Sequence, residues 1–168
     1  MPSSEVFLLD ATGEVQKLAA TVAEKHLTVS AAESCTGGLI GAAITALPGA
    51  SSFFLGSAVT YSNDAKEVLL GVPRGVLFAY GAVSEQTAAC MSKGAVKLYG
   101  SDISVAVTGI AGPGGATAEK PVGLVFISVS DGSKTFTAKF NFDGDRDEVR
   151  VQTVVSALRM LNEFAEGL

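Results

Sequence analysis

The stretch Leu27-Thr28-Val29-Ser30-Ala31-Ala32, running straight into Glu33-Ser34-Cys35-Thr36-Gly37-Gly38 and then Leu39 to Leu47, decides the reading of this chain. Leu27 to Ala32 is apolar or small, with β-branched residues among them, and predicts a short buried strand. Thr36-Gly37-Gly38 predicts a tight turn, because glycine reaches backbone angles closed to other residues. Leu39 to Leu47 is rich in Ala and Ile and is stopped by Pro48-Gly49, which predicts a helix. Strand, tight turn and helix together are the unit from which a helix-covered sheet is built.

The flanking sequence supplies further helices and strands around that unit. Val15, Leu18, Ala19 and Val22 recur at helical spacing and end in Lys25 and His26, predicting a first helix from Gly13 to His26. Phe53 to Tyr61 reads as the second strand, and Ser62-Asn63-Asp64 opens a short helix through Leu70. Ser84 caps a longer helix to about Tyr99, closed by Gly100. Asp102 to Thr108 reads as a third buried strand, followed by a Gly- and Pro-rich loop to Pro121. Val122 to Ser130 and Lys134 to Phe142 are paired strands around the hairpin signal Asp131-Gly132-Ser133. A last helix starts near Asp145, with Glu148 at capping-box spacing, and buries Val151, Val154, Val155, Leu158, Leu161 and Phe164. The order α-β-α-β-α-α-β-β-β-α predicts the α/β class: a three-layer α/β/α sandwich with a mixed, mostly parallel sheet. With no repeat or linker to divide it, residues 1–168 are expected to form one domain.

Composition narrows the function. Of the 168 residues 48% are hydrophobic and 17% charged, which supplies a core and excludes a disordered chain. The most apolar stretches, such as Leu39 to Ala50, are broken well before the roughly 18 residues of a membrane span. Met1 to Asp10 carries Glu5 and Asp10 and no Lys or Arg, unlike the cationic start of a secretory signal, so a cytoplasmic protein is expected. The net charge of -5 and the scattered 12 Lys and Arg offer no basic stripe, so no direct contact with nucleic acid is expected. Cys35 and Cys90 lie far apart and are expected to stay reduced. His26 is the one histidine, and no Cys or His cluster has metal-ligand spacing, so neither a metal nor a cofactor is expected. Homo-oligomerisation is compatible with the sequence, which marks no interface.

Ligands of open α/β sheets bind beyond the carboxyl ends of the strands. Strand one leads there into Glu33 to Gly38, strand two into Tyr61-Ser62-Asn63 with Lys66, and strand three into Thr108 to Gly115. Ser34 and Cys35 are two candidate nucleophiles at a turn opening a helix, whose free N–H groups suit an oxyanion; the same residue types also serve as plain N-caps. His26 precedes strand one and belongs at the far end of the sheet, which makes a Ser-His-Asp triad a poor fit. Lys66, neutralised by desolvation, is the alternative base, although a lone lysine is more often a surface charge. Tyr61 reads as a proton relay or a strand aromatic, and Cys35 as a nucleophile or a buried thiol. The Thr108 to Gly115 loop lacks the ending of a P-loop and the spacing of a dinucleotide fingerprint. Lys120 brings a cation to its far end. Arg146 and Arg150 share a helical face and suit either a phosphate or pairing with Asp147 and Glu148.

Taken together, Ala32 to Gly38, Val59-Thr60-Tyr61-Ser62-Asn63 with Lys66, Gly81-Ala82-Val83-Ser84-Glu85, Thr108 to Pro113 with Lys120-Pro121-Val122-Gly123, and Gly144-Asp145-Arg146 resemble the C-terminal domain of the CinA (competence/damage-inducible) family. The resemblance covers nearly the whole chain in motif order. It implies a nicotinamide-nucleotide amidase, which converts nicotinamide mononucleotide and water to nicotinate mononucleotide and ammonia. It implies Ser34 as nucleophile and maps the motif lysine, tyrosine and arginine to Lys66, Tyr61 and Arg146. The expected catalytic set is therefore Ser34, Lys66 and Tyr61. Glu33, Cys35, Thr36, Gly37, Gly38, Thr108, Gly109, Gly112, Gly114, Gly115, Arg146 and Arg150 are the expected substrate-binding set, with the N–H groups of Thr36 to Gly38 facing the oxyanion and the two arginines at the 5'-phosphate. Longer members carry a further N-terminal domain, for which this chain leaves no room. The rival expectation is a non-catalytic nucleotide-binding or regulatory module linked to competence or DNA damage.

Overall fold

The computed structural model describes residues 4–168, with side chains from residue 11 onward, so part of the Met1 to Asp10 reading lies outside the described residues. The elements are α1 (Ser4–Lys25), β1 (Val29–Glu33), α2 (Leu39–Thr45), a 3-10 turn (Ala50–Ser52), β2 (Phe54–Val59), α3 (Asn63–Leu70), α4 (Arg74–Tyr80), α5 (Glu85–Tyr99), β3 (Ile103–Gly109), β4 (Leu124–Ser130), β5 (Thr135–Asn141) and α6 (Arg146–Glu166). The sheet order is β2-β1-β3-β4-β5. β1 lies parallel to β2 and β3, while β4 runs antiparallel to β3 and β5. Four strands therefore share one direction and β4 alone opposes them, so the mixed, mostly parallel sheet expected from the sequence is the one observed.

Side-chain alternation along the strands divides the core between two faces. On one face Val29, Val105, Val107, Ile127 and Val129 pack with Leu18, Val22, Ile40, Ile44, Val154, Leu158 and Leu161 from α1, α2 and α6. Each such fully buried aliphatic side chain contributes about 1.5–3 kcal/mol. On the other face Ala32, Ala58 and Ala106 meet Leu70, Met91 and Ala95 of α3 and α5. Small residues let those helices approach closely: a Cβ on Gly94 would collide with the carbonyl of Leu70. The buried serines of this face satisfy one another, Ser30 with Ser101 at 2.7 Å and Ser92 with Ser128 at 2.9 Å.

Several boundaries differ from the sequence reading. α1 begins at Ser4 rather than Gly13, since a solvent-facing glycine is tolerated inside a helix whose other face is packed on α6. α4 and the 3-10 turn had no counterpart: α4 buries none of its residues, so it carries no apolar periodicity to read. α6 starts as expected, with Asp145 and Glu148 forming a capping box, but Val151, Val155 and Phe164 remain only partly buried. His26 precedes β1 and takes a positive φ of 56° at the end of α1.

Candidate active site

The carboxyl ends of β1 and β3 and the start of α3 meet in a cleft of about 250 Å³. Ser34 continues the β1 ladder, donating its N–H to the Val107 carbonyl at 3.1 Å. Ser62 caps α3 by accepting from the Ala65 N–H at 3.1 Å, and this sets Lys66 in the first turn beneath the cleft. Lys66 is 1% exposed. Its Nζ donates to Ser34 Oγ at 3.0 Å and to the Thr60 carbonyl at 2.7 Å. No carboxylate pairs with it among the described residues, and burial lowers its pKa from 10.5 to about 8. Burial acts oppositely on the neighbouring thiol, pushing Cys35 up to about 11 and keeping it protonated.

The rim is built by α6 and the glycine-rich loop. Arg146 donates through Nη1 to the Gly112 carbonyl at 2.7 Å and through Nη2 to Tyr61 Oη at 3.3 Å. Tyr61 is 64% exposed, so one face of its ring is open to a ligand. Thr108, Gly109, Gly112, Gly114 and Gly115 line the same cleft with Ser34, Cys35, Tyr61, Lys66 and Arg146, and so do Ala82, Val83, Ile110 and Ala111. A neutral lysine against a serine hydroxyl is a nucleophile with its base, and a guanidinium above them suits an anionic ligand.

Residues 12–165 match the CinA C-terminal domain. The chain belongs to the CinA C-terminal domain family. A "CinA-like protein" of Geobacter metallireducens is 50% identical over 153 residues, which cover 89% of this chain and 37% of that protein. The chain thus spans little more than a third of the length of this curated relative. Two solved structures share the fold closely. The competence/damage inducible protein CihA from Agrobacterium tumefaciens has a TM-score of 0.87 at 44% identity, covering 90% of this chain and 93% of that one. A CinA superfamily protein from Klebsiella pneumoniae has a TM-score of 0.90 at 32% identity, covering 94% of this chain and 99% of the other.

Not every residue of the CinA motifs enters the cleft. Glu33, Thr36, Gly37, Gly38 and Arg150 do not line it. Glu33 is fully buried on the opposite face of β1, beneath the start of α2. Its Oε2 accepts from Thr36 Oγ1 at 2.7 Å and from the Gly38 and Ile40 N–H groups at 3.0 Å each. Its Oε1 accepts from the Gly41 N–H at 2.9 Å and Ser57 Oγ at 2.6 Å. The expected oxyanion donors are thereby partly spent: the Gly38 N–H serves Glu33, and the Gly37 N–H donates to the Ser34 carbonyl at 3.1 Å. The Thr36 N–H, the third expected donor, and the Cys35 N–H before it have no acceptor among the described residues. Arg150 donates to the Thr36 carbonyl at 3.0 Å and lies 3.6 Å from Asp147, so it braces the turn from behind. Lys120 donates to two backbone carbonyls and is no free cation. Ala82 and Val83 escaped sequence reasoning because two small apolar residues in a linker carry no chemical signal; only their place in the Gly81 to Glu85 motif marked them.

Proposed function

We propose that this chain is an amidohydrolase acting on nicotinamide mononucleotide, with Ser34 as nucleophile and Lys66 as its base. The 3.0 Å contact between Lys66 Nζ and Ser34 Oγ, made in a desolvated pocket with no histidine near it, carries this reading. Neutral Lys66 takes the Ser34 hydroxyl proton as Oγ bonds to the carboxamide carbon and the C=O electron pair moves to oxygen. The Cys35 and Thr36 N–H groups are both without an acceptor among the described residues, and the Cys35 N–H, directly after the nucleophile on a residue that lines the cleft, is the donor assigned to that oxyanion. The tetrahedral intermediate collapses as the C–N bond breaks, and the Lys66 ammonium protonates the leaving nitrogen, which departs as ammonia. A water molecule then gives a proton to Lys66 as its oxygen bonds to the acyl carbon; the C–Oγ bond breaks, the Lys66 ammonium returns its proton to Ser34 Oγ, and nicotinate mononucleotide leaves with both residues restored.

Tyr61 Oη is bonded to Arg146 rather than to Ser34 or Lys66 among the described residues, so its role in this scheme is to orient the substrate. Arg146, with the glycine loop it holds through Gly112, meets the 5'-phosphate. Arg150 and Glu33 support the turn and touch no substrate in this scheme. Ser34→Ala and Lys66→Ala test the reading through ammonia release. Both variants are expected to lose at least about 100-fold in kcat, the lower bound for removing a positioned acid–base group.

A further inference from the structure

Four consecutive carbonyls, from Tyr80 at the end of α4 to Val83 in the linker before α5, each accept a hydrogen bond from a side chain. Lys120 Nζ donates to the Tyr80 carbonyl at 2.8 Å and to the Val83 carbonyl at 2.7 Å. The Ser84 and Thr87 hydroxyls donate to the Gly81 carbonyl at 3.0 and 2.7 Å. Thr108 Oγ1 donates to the Ala82 carbonyl at 2.7 Å. Surface linkers ordinarily leave such oxygens to water. Here all four are bound by the protein, in the segment whose Ala82 and Val83 line the cleft.

Lys120 differs from the other donors in what it joins. It lies at the far end of the glycine-rich loop and so fastens one wall of the cleft, the loop, to another, the linker. It takes part in none of the ion pairs among the described residues, so the protein partners of its ammonium are the two carbonyls. Released from these bonds, the Tyr80 and Val83 oxygens would be free to turn toward the cleft and set negative dipole ends against an anionic ligand.

Resting on the amidase reading, we propose that Lys120 is a positioning residue for the anionic nucleotide. It holds the linker and the glycine-rich loop together as one rigid wall and keeps their carbonyl oxygens away from the phosphate-bearing substrate. The wall shapes binding and leaves the Ser34–Lys66 chemistry untouched.

Lys120→Met and Lys120→Arg test this in two ways. In hydrogen exchange, Lys120→Met is expected to speed exchange of the Gly81 and Thr117 amides, which are bonded to the Leu77 and Lys120 carbonyls, about tenfold or more while β1 and β3 keep their protection. Lys120→Arg, with several donors in a planar fork, is expected to restore protection. Unchanged exchange at both amides, or equal acceleration in β1 and β3, overturns the proposal. With nicotinamide mononucleotide, Lys120→Met is expected to raise KM about tenfold with kcat within about threefold of wild type, and Lys120→Arg to recover KM. A fall in kcat at unchanged KM overturns the proposal as well. Absence of turnover in the wild-type chain contradicts the amidase reading only, and the exchange result still decides the role of Lys120.

Discussion

Lys66 Nζ donates to Ser34 Oγ at 3.0 Å from a position where its side chain is 1% exposed. The lysine reaches the serine because Ser62 starts α3 directly after β2, while β1, the neighbour of β2, ends at Glu33 and presents Ser34 next. Parallel pairing of the two strands brings these sequence-distant groups to one end of the sheet, and burial of the amine suits it to act as a base.

Turnover by this pair requires neutral Lys66, whose pKa burial holds at about 8. Below that value kcat/KM is expected to rise about tenfold per pH unit and then to level off above it. A profile flat across this range would remove Lys66 from the base role. The same shift has a consequence for folding. Between about 8 and 10.5 the unfolded chain holds a proton on Lys66 that the folded chain lacks, so Lys66 adds stability as pH rises; above about 9 the raised Cys35 thiol acts in the opposite sense, so the net rise is expected between about 8 and 9. Denaturant titrations across the window should show a shallower rise in Lys66→Met.

Cys35 lines the cleft beside Ser34, yet its thiol, pushed up to about 11, is protonated at neutral pH. Cys35→Ala is therefore expected to keep kcat within about threefold, whereas Ser34→Ala loses nearly all of it. The opposite pattern in steady-state assays would transfer the nucleophile to the cysteine.

Glu33→Gln replaces a carboxylate that accepts from five donors with an amide that can accept through one oxygen only. Stranding buried donors in this way is expected to cost about 3 kcal/mol and to lower Tm by roughly 6–12 °C. Calorimetry checks it; an unchanged Tm would mean that these bonds contribute little to the fold.

Arg146→Ala removes the guanidinium at the rim of the cleft. Its expected signature is an increase in KM of about tenfold or more for nicotinamide mononucleotide, with little change for the riboside, which lacks the phosphate. Equal losses on both substrates would assign Arg146 to holding Tyr61 and Gly112 instead.

The sequence made the sheet legible because its strands are short, β-branched and bounded by glycine turns, and because parallel strands require helices between them. The same logic placed Ser34, Tyr61, Lys66 and Thr108 at strand ends. α4 stayed hidden because periodicity reports burial, and this helix has no fully buried residue and rests on the core only through half-buried Leu77. The division of labour within Glu33 to Gly38 was also hidden. Alternation along β1 sends Glu33 and Ser34 to opposite faces, and only the packing of α2 over one face and α3 over the other tells which faces the cleft. Arg150 read as a phosphate ligand because spacing puts it on the same helical face as Arg146, whereas the turn at Thr36 occupies that guanidinium.

Ammonia release from nicotinamide mononucleotide by the purified chain, measured with a chelator present for wild type, Ser34→Ala and Lys66→Ala, addresses the proposed dyad most directly. Sustained release by wild type that disappears in both variants is the expected result. Full turnover in either variant, or mononucleotide binding by wild type without any release, would contradict it.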